Sequence, residues 1–122
     1  MNNLNLKDLK VVFGGCVRDC SKFLPKSLEN LKFYSSLFKE SFTVIVENGS
    51  KDKTREILKE NKNFNDFYLF EDDLNQLPSR GQRLEKARNL IIEKIKNTSV
   101  LNSCDLFIVL DLDDMGNYKI NK

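Results

Sequence analysis

Apolar positions along the chain fall into two periods that alternate. Leu9–Phe13 (Leu-Lys-Val-Val-Phe) is β-branched and aromatic and predicts a first strand. Leu24, Leu28, Leu31 and Phe38 then recur at helical spacing, with Tyr34 and Leu37 widening the stripe. Ser21 is the expected N-cap of that helix, and Pro25 falls where a first turn tolerates it. Phe42–Val46 predicts a second strand, and a helix follows from Thr54 with Ser50 or Asp52 as its cap. Asn48-Gly49 also suits a hairpin turn, but helical sequence follows it rather than a partner strand. Phe67–Phe70 predicts a third strand. After a loop through Pro78, Leu84, Ala87, Leu90, Ile91 and Ile95 share one stripe of a third helix. Lys94–Ser103 is expected to be a mostly polar connection. Cys104–Leu110 is almost unbroken apolar sequence and predicts a strand buried on both faces, as in a parallel sheet.

Strands alternating with helices predict a parallel sheet with right-handed crossovers and helices on both faces, a three-layer α/β fold. In such sheets ligands bind beyond the carboxyl ends of the strands. Three unusual polar stretches are expected at that edge: Gly14–Asp19, Glu47–Ser50 and Asp111–Asp114. The glycines of the first suit a tight turn or a close approach to a ligand, although the dinucleotide fingerprint GxGxxG is missing. The last places three carboxylates at the end of a buried strand. Crowded carboxylates repel one another and favour a hard cation, which in turn binds phosphate. Arg80 and Arg83 open the third helix where acidic residues are usual, and an anionic ligand would offset that cost.

Composition narrows the function classes. The 122 residues are 40% hydrophobic, enough for one core, and 20 Lys+Arg against 18 Asp+Glu give a formal charge of +2. That balance does not argue for nucleic acid. No run is long enough for a transmembrane segment, the N-terminus lacks the apolar core of a signal peptide, and a cytoplasmic protein is the expectation. Three cysteines (Cys16, Cys20, Cys104) make a disulfide framework improbable, and with no histidine there is no His-dependent triad or His-containing zinc site.

The motifs together resemble a known family. Val44–Thr54 (Val-Ile-Val-Glu-Asn-Gly-Ser-Lys-Asp-Lys-Thr) resembles the V-D-D-G-S-x-D-x-T stretch of family 2-like glycosyltransferases of the GT-A fold. Its Glu-Asn-Gly-Ser variant is similar to the cryptococcal mannosyltransferase group. Arg83–Asn89 resembles the A-R-N helix of these enzymes, and Phe107–Asp114 their L-D-x-D-D strand with its DxD motif. The resemblance implies a Rossmann-like nucleotide-diphospho-sugar transferase half, a single domain over 1–122. It implies that Cys16, Arg18, Glu47, Asn48, Arg80, Arg83, Arg88 and Asp111 bind the nucleotide sugar. Glu47 and Asn48 would lie near base and ribose, with one or more of the arginines on the diphosphate or sugar. Asp111 and Asp113 would hold Mn²⁺ or Mg²⁺. Asn48, where the pattern has Asp, removes a charge near the base.

The acceptor-binding half and catalytic base of this family follow the DxD motif, whereas Lys122 lies eight residues after Asp114. The expectation is therefore a donor-binding half, truncated after the motif, with no general base to nominate and a glycan, protein or lipid acceptor. Self-association, or a second chain supplying the acceptor half, is the expected partnership. Two other readings remain: a nucleotide- or partner-binding module without turnover, and a haloacid-dehalogenase-like phosphatase. The phosphatase also has DxD after an apolar strand, but Met115 stands where that family has Thr or Val, and its motif opens the domain.

Overall fold

The computed structural model describes residues 5–110 and 112. After a 3₁₀ turn at Leu6–Asp8, the elements are β1 (Lys10–Val17), α1 (Leu24–Ser35), β2 (Glu40–Asn48), α2 (Thr54–Glu60) and β3 (Asp66–Glu71). A 3₁₀ turn at Leu74–Gln76, α3 (Arg80–Lys96), α4 (Ser99–Asn102) and β4 (Leu106–Val109) complete the order. The four strands form one sheet in the order β3-β2-β1-β4, parallel throughout. The fold is α/β, as the alternating periods predict.

Side-chain alternation sends successive strand residues to opposite faces of the sheet. Val11, Phe13, Val17 and Ile45 meet Leu24, Leu28 and Leu31 of α1 and Leu58 of α2 on one face. Val12, Phe42, Val44 and Val46 meet Ala87 and Ile91 of α3 and Leu101 of α4 on the other. Two cores on one sheet make three layers. Each fully buried leucine or isoleucine contributes about 1.5–3 kcal/mol of burial. Truncating a central one such as Ile45, with no accessible surface at all, costs about 2–5 kcal/mol.

Several boundaries differ from the sequence expectation, each for a physical reason. β1 does not stop at Phe13. It runs through both glycines, which sit inside the strand because β4 packs against them. A Cβ at Gly14 would lie 2.6 Å from Phe107 Cε1, and one at Gly15 would lie 3.0 Å from the Leu110 carbonyl oxygen. Ser21 does not cap α1. Phe23 occupies that position without a side-chain bond, while the Ser21 N–H donates to Asp52. The connection over Lys94–Ser103 is not simply polar: α3 continues to Lys96, and α4 buries Leu101. β4 is not buried on both faces. It is outermost in the described sheet and pairs there with β1 alone, so Phe107 and Val109 remain 42% and 54% exposed. No helix among the described residues is long and apolar enough to cross a membrane.

Candidate functional site at the carboxyl edge of the sheet

β2 and β3 lie to one side of β1, and β4 to the other. The chain therefore reverses its direction of travel across the sheet between β1 and β4. The crevice beyond the carboxyl ends of such a pair is the usual ligand position in open α/β sheets. One cavity lies there, and a second lies beside it at the ends of β1 and β2. The smaller, about 270 Å³, is bounded by Arg18, Asn48, Leu74, Arg80 and Arg83. The larger, about 440 Å³, is bounded by Gly15, Arg80, Arg88 and apolar walls from Phe107, Val109 and Leu110. Cys16, Arg80 and Leu84 line both. Of the eight residues that the resemblance implies for the donor, six (Cys16, Arg18, Asn48, Arg80, Arg83 and Arg88) surround this pair of cavities.

α3 puts three of those arginines in place. Ser79 caps the helix by accepting from the Gln82 N–H at 3.1 Å, which sets where the first turn begins. From that start, Arg80, Leu84 and Arg88 follow one another at four-residue spacing along one face. The α3 N-terminus carries partial positive charge as well. Arg83 is steadied by donating to the Leu77 carbonyl at 3.1 Å, while the side chains of Arg80 and Arg88 make no hydrogen bond or ion pair among the described residues.

Two residues that line the smaller cavity each bury a polar atom without a hydrogen-bond partner among the described residues: Asn48 Oδ1 and Arg18 Nε. The nearest opposite charge to the latter is Asp19 Oδ2, an ion pair at 3.6 Å and not a hydrogen bond. An unpaired buried donor and acceptor cost on the order of 1–3 kcal/mol each.

The loops that carry Arg18 and Asn48 are clasped together. Asp19 adopts a left-handed backbone (φ 48°), a conformation Asp tolerates better than most residues. Its N–H donates to Ser50 Oγ at 3.0 Å, and its carboxylate accepts from the Lys51 N–H at 2.6 Å. The Cys20 N–H donates to Thr54 Oγ1 at 2.9 Å, and Asp52 accepts from the N–H groups of Ser21 and Thr54. Burial works against ionisation of Asp52. The hydrogen bonds from Thr54 and Ser21 outweigh it and hold the carboxyl at about 2. Ser50, Asp52 and Thr54 of the motif thus lock the β1–α1 loop to the β2–α2 loop.

Glu47 stands apart from the other nominated residues. Its side chain has 0% exposure, accepts from the Ser50 N–H, and pairs with Arg55, whose Nη2 lies 2.6 Å away. Arg55 reaches on to Asp72 at 2.8 Å and packs its guanidinium over Phe70. This carboxylate is occupied by the protein, at the base of the site and not in its lining. Arg55 was not among the sequence candidates. Its position in the first turn of a helix that follows a strand-end glutamate was the available signal.

Asp111 and Asp113, the expected metal ligands, lie outside the described residues, as does Asp114. Among the described residues no group of three or more His, Cys, Asp or Glu is placed to hold a metal ion. The residue between them is well fixed. Leu112 is buried in the core against α1, and the fully buried Ser27 donates its hydroxyl to the Leu112 carbonyl at 2.7 Å. Ser27 sits on the stripe's buried side, where a serine signals a polar partner. Nothing in sequence says that the partner is 85 residues away. No family model matches the chain, and no curated protein is significantly similar to it in sequence.

Proposed function

We propose that the chain is the donor-binding part of a glycosyltransferase of the GT-A type, which takes a nucleotide-diphosphate sugar at the carboxyl edge of its sheet. One observation carries the reading. Arg18, Arg80, Arg83, Arg88 and Asn48 gather around two neighbouring cavities, one of them at the point where strand order reverses. The residues around the smaller cavity, Arg18, Asn48 and Arg83 among them, offer polar groups that suit a nucleoside. Arg80 borders both cavities and suits the diphosphate between its two ends. Arginine binds phosphate oxygens through paired N–H groups in a fixed fork.

Asp111 and Asp113 are the residues that would hold the Mn²⁺ or Mg²⁺ of such a site. Leu110, which lines the larger cavity, leads directly into Asp111, and Ser27 anchors Leu112 between the two carboxylates. A bound divalent ion acts as a Lewis acid, neutralising charge on the departing nucleoside diphosphate. The described side chains bind and orient the donor: the clasp of Asp19, Ser50, Asp52 and Thr54 holds Arg18 and Asn48 in register before ligand arrives. Preorganisation of that kind lowers the cost of binding.

Thermal-shift titration with UDP, GDP and their sugar conjugates, with and without Mn²⁺, tests the reading. A ligand that binds only the folded state raises its melting temperature. The expected result is a metal-enhanced shift with one of the two nucleotides, lost in Arg80→Ala, with the metal-dependent part lost in Asp113→Ala. A cooperative melt that no nucleotide moves would refute it.

A further inference from the structure

A third cavity lies at the opposite end of the sheet. It has a different chemistry. It holds about 380 Å³, within the range of small-molecule sites. Its origin is the shortness of α2. Seven residues span roughly 10 Å, whereas nine-residue β2 extends roughly 30 Å. Leu58 of α2 is buried in the core, and the chain from Asn61 to Asn65 then crosses the amino ends of β2 and β3 as a loop. A gap is left between that loop and the last turns of α1.

We propose that this gap is a binding site for a neutral polyhydroxylated ligand, a saccharide, separate from the site at the carboxyl edge. Leu28 and Leu31 supply an apolar wall, as the C–H face of a sugar ring requires, and Tyr68 supplies an aromatic one. Apart from Lys32 and Asp66, the rest of the lining is amide and hydroxyl groups. The hydroxyls of Ser35 and Ser41 and the side-chain amide of Asn63 have no protein hydrogen bond among the described residues. Amides and hydroxyls both donate and accept, which suits a ligand whose every hydroxyl does the same.

Charge excludes the other obvious occupants. Both α1 and α2 end at this cavity, so their carbonyl-rich, partially negative termini face it. Asp66 adds a carboxylate, bound by the Tyr68 hydroxyl at 3.1 Å and the Asn63 N–H at 2.8 Å. Burial beside that carboxylate pushes the Tyr68 phenol far above its ordinary range and keeps it neutral. Lys32 is the single cation in the lining, and Lys7 reaches the same end of α1 only to donate to the Ser36 carbonyl. Phosphates and nucleotides are therefore disfavoured here, in contrast to the arginine-lined site. The proposal does not depend on the donor reading, since no residue is shared between the two sites.

The test is amide NMR of the full chain titrated with maltose, lactose and diacetylchitobiose, with inorganic phosphate as the anionic control. The expected result is millimolar binding of at least one saccharide. Shift changes should cluster at Ser35, Ser36, Ser41, Thr43 and Asn61–Asp66 and be absent with phosphate. Asn63→Ala, on an exposed loop, should weaken binding several-fold. Ser35→Phe, at the open end of α1, should abolish it while the rest of the spectrum keeps its dispersion. Arg80→Ala should leave it unchanged. No saccharide-induced shifts, shifts that persist in a folded Ser35→Phe variant, or equal shifts with phosphate would each overturn the proposal.

Discussion

Replacing Asp52 by asparagine isolates the charge that holds the two functional loops together. The variant keeps an acceptor oxygen beside Thr54 and Ser21 but cannot ionise. In the folded wild type the carboxyl is held at about 2, down from 3.8, because hydrogen bonds from Thr54 and Ser21 outweigh its burial. Fully expressed, that drop corresponds to about 2.4 kcal/mol. Asp52 is partly open to water, and screening reduces the share that reaches global stability to about 1 kcal/mol. The folded-state value lies below the unfolded one. The contribution is therefore complete above about pH 4 and is lost as the pH falls towards 2. Urea unfolding of wild type and Asp52→Asn, compared from about pH 7 down to about pH 3, measures the difference directly. The expected gap is about 1 kcal/mol near neutrality, closing by roughly half at pH 3. A gap independent of pH, or variants of equal stability at neutral pH, would refute the reasoning that the ionised carboxylate is what fastens the loops.

Other substitutions probe the parts separately. Arg80→Ala should weaken nucleoside-diphosphate binding by about 10- to 100-fold, the worth of a charge-assisted hydrogen bond, and leave the urea midpoint nearly unchanged; calorimetric titration reads the first and urea unfolding the second. Glu47→Gln removes the charge of a buried pair and leaves Arg55 with Asp72 alone, so it should cost about 2–3 kcal/mol in unfolding free energy, a stability effect out of proportion to any change in ligand affinity. Gly15→Ala forces a Cβ to within 3.0 Å of the Leu110 carbonyl, and a loss of about 1–3 kcal/mol is expected. Ser27→Ala strips the Leu112 carbonyl of its buried donor, at about 1–3 kcal/mol. It should also blunt the metal-dependent part of the nucleotide thermal shift.

Periodicity made the order of elements legible, because burial repeats every two residues in a strand and every three to four in a helix. The edge at which the polar stretches gather was legible for the same reason: alternation of strand and helix implies a parallel sheet, and a parallel sheet puts every strand's end on one side. What sequence could not separate was a residue that faces a cavity from one that serves the scaffold. Glu47 and Asn48 are neighbours at the end of β2, yet alternation turns Glu47 inward onto Arg55 and leaves Asn48 at the cavity. Leu84, Phe107 and Val109 read as core by composition but line the site. Sequence has no term for the position of a strand within a sheet. The same limit hid the amino-end cavity, which arises from the length of α2 and not from any motif.

The strand order has a consequence for how the chain comes to be folded. β1, β2 and β3, with α1 and α2, are contiguous in sequence, and most of their face of the core, all but the part closed by Ile108, Leu110 and Leu112, can assemble as soon as β3 has been made. The opposite face cannot. Val12, Phe42, Val44 and Val46 stay uncovered until α3 and α4 arrive, and the Lys10–Asp105 contact beside β4 spans 95 residues. Contacts that distant form slowly, and unpaired strand edges with bare apolar faces are what associate during that delay. On a ribosome, the interval between β3 and β4 is when this chain is most exposed to aggregation and most in need of a chaperone.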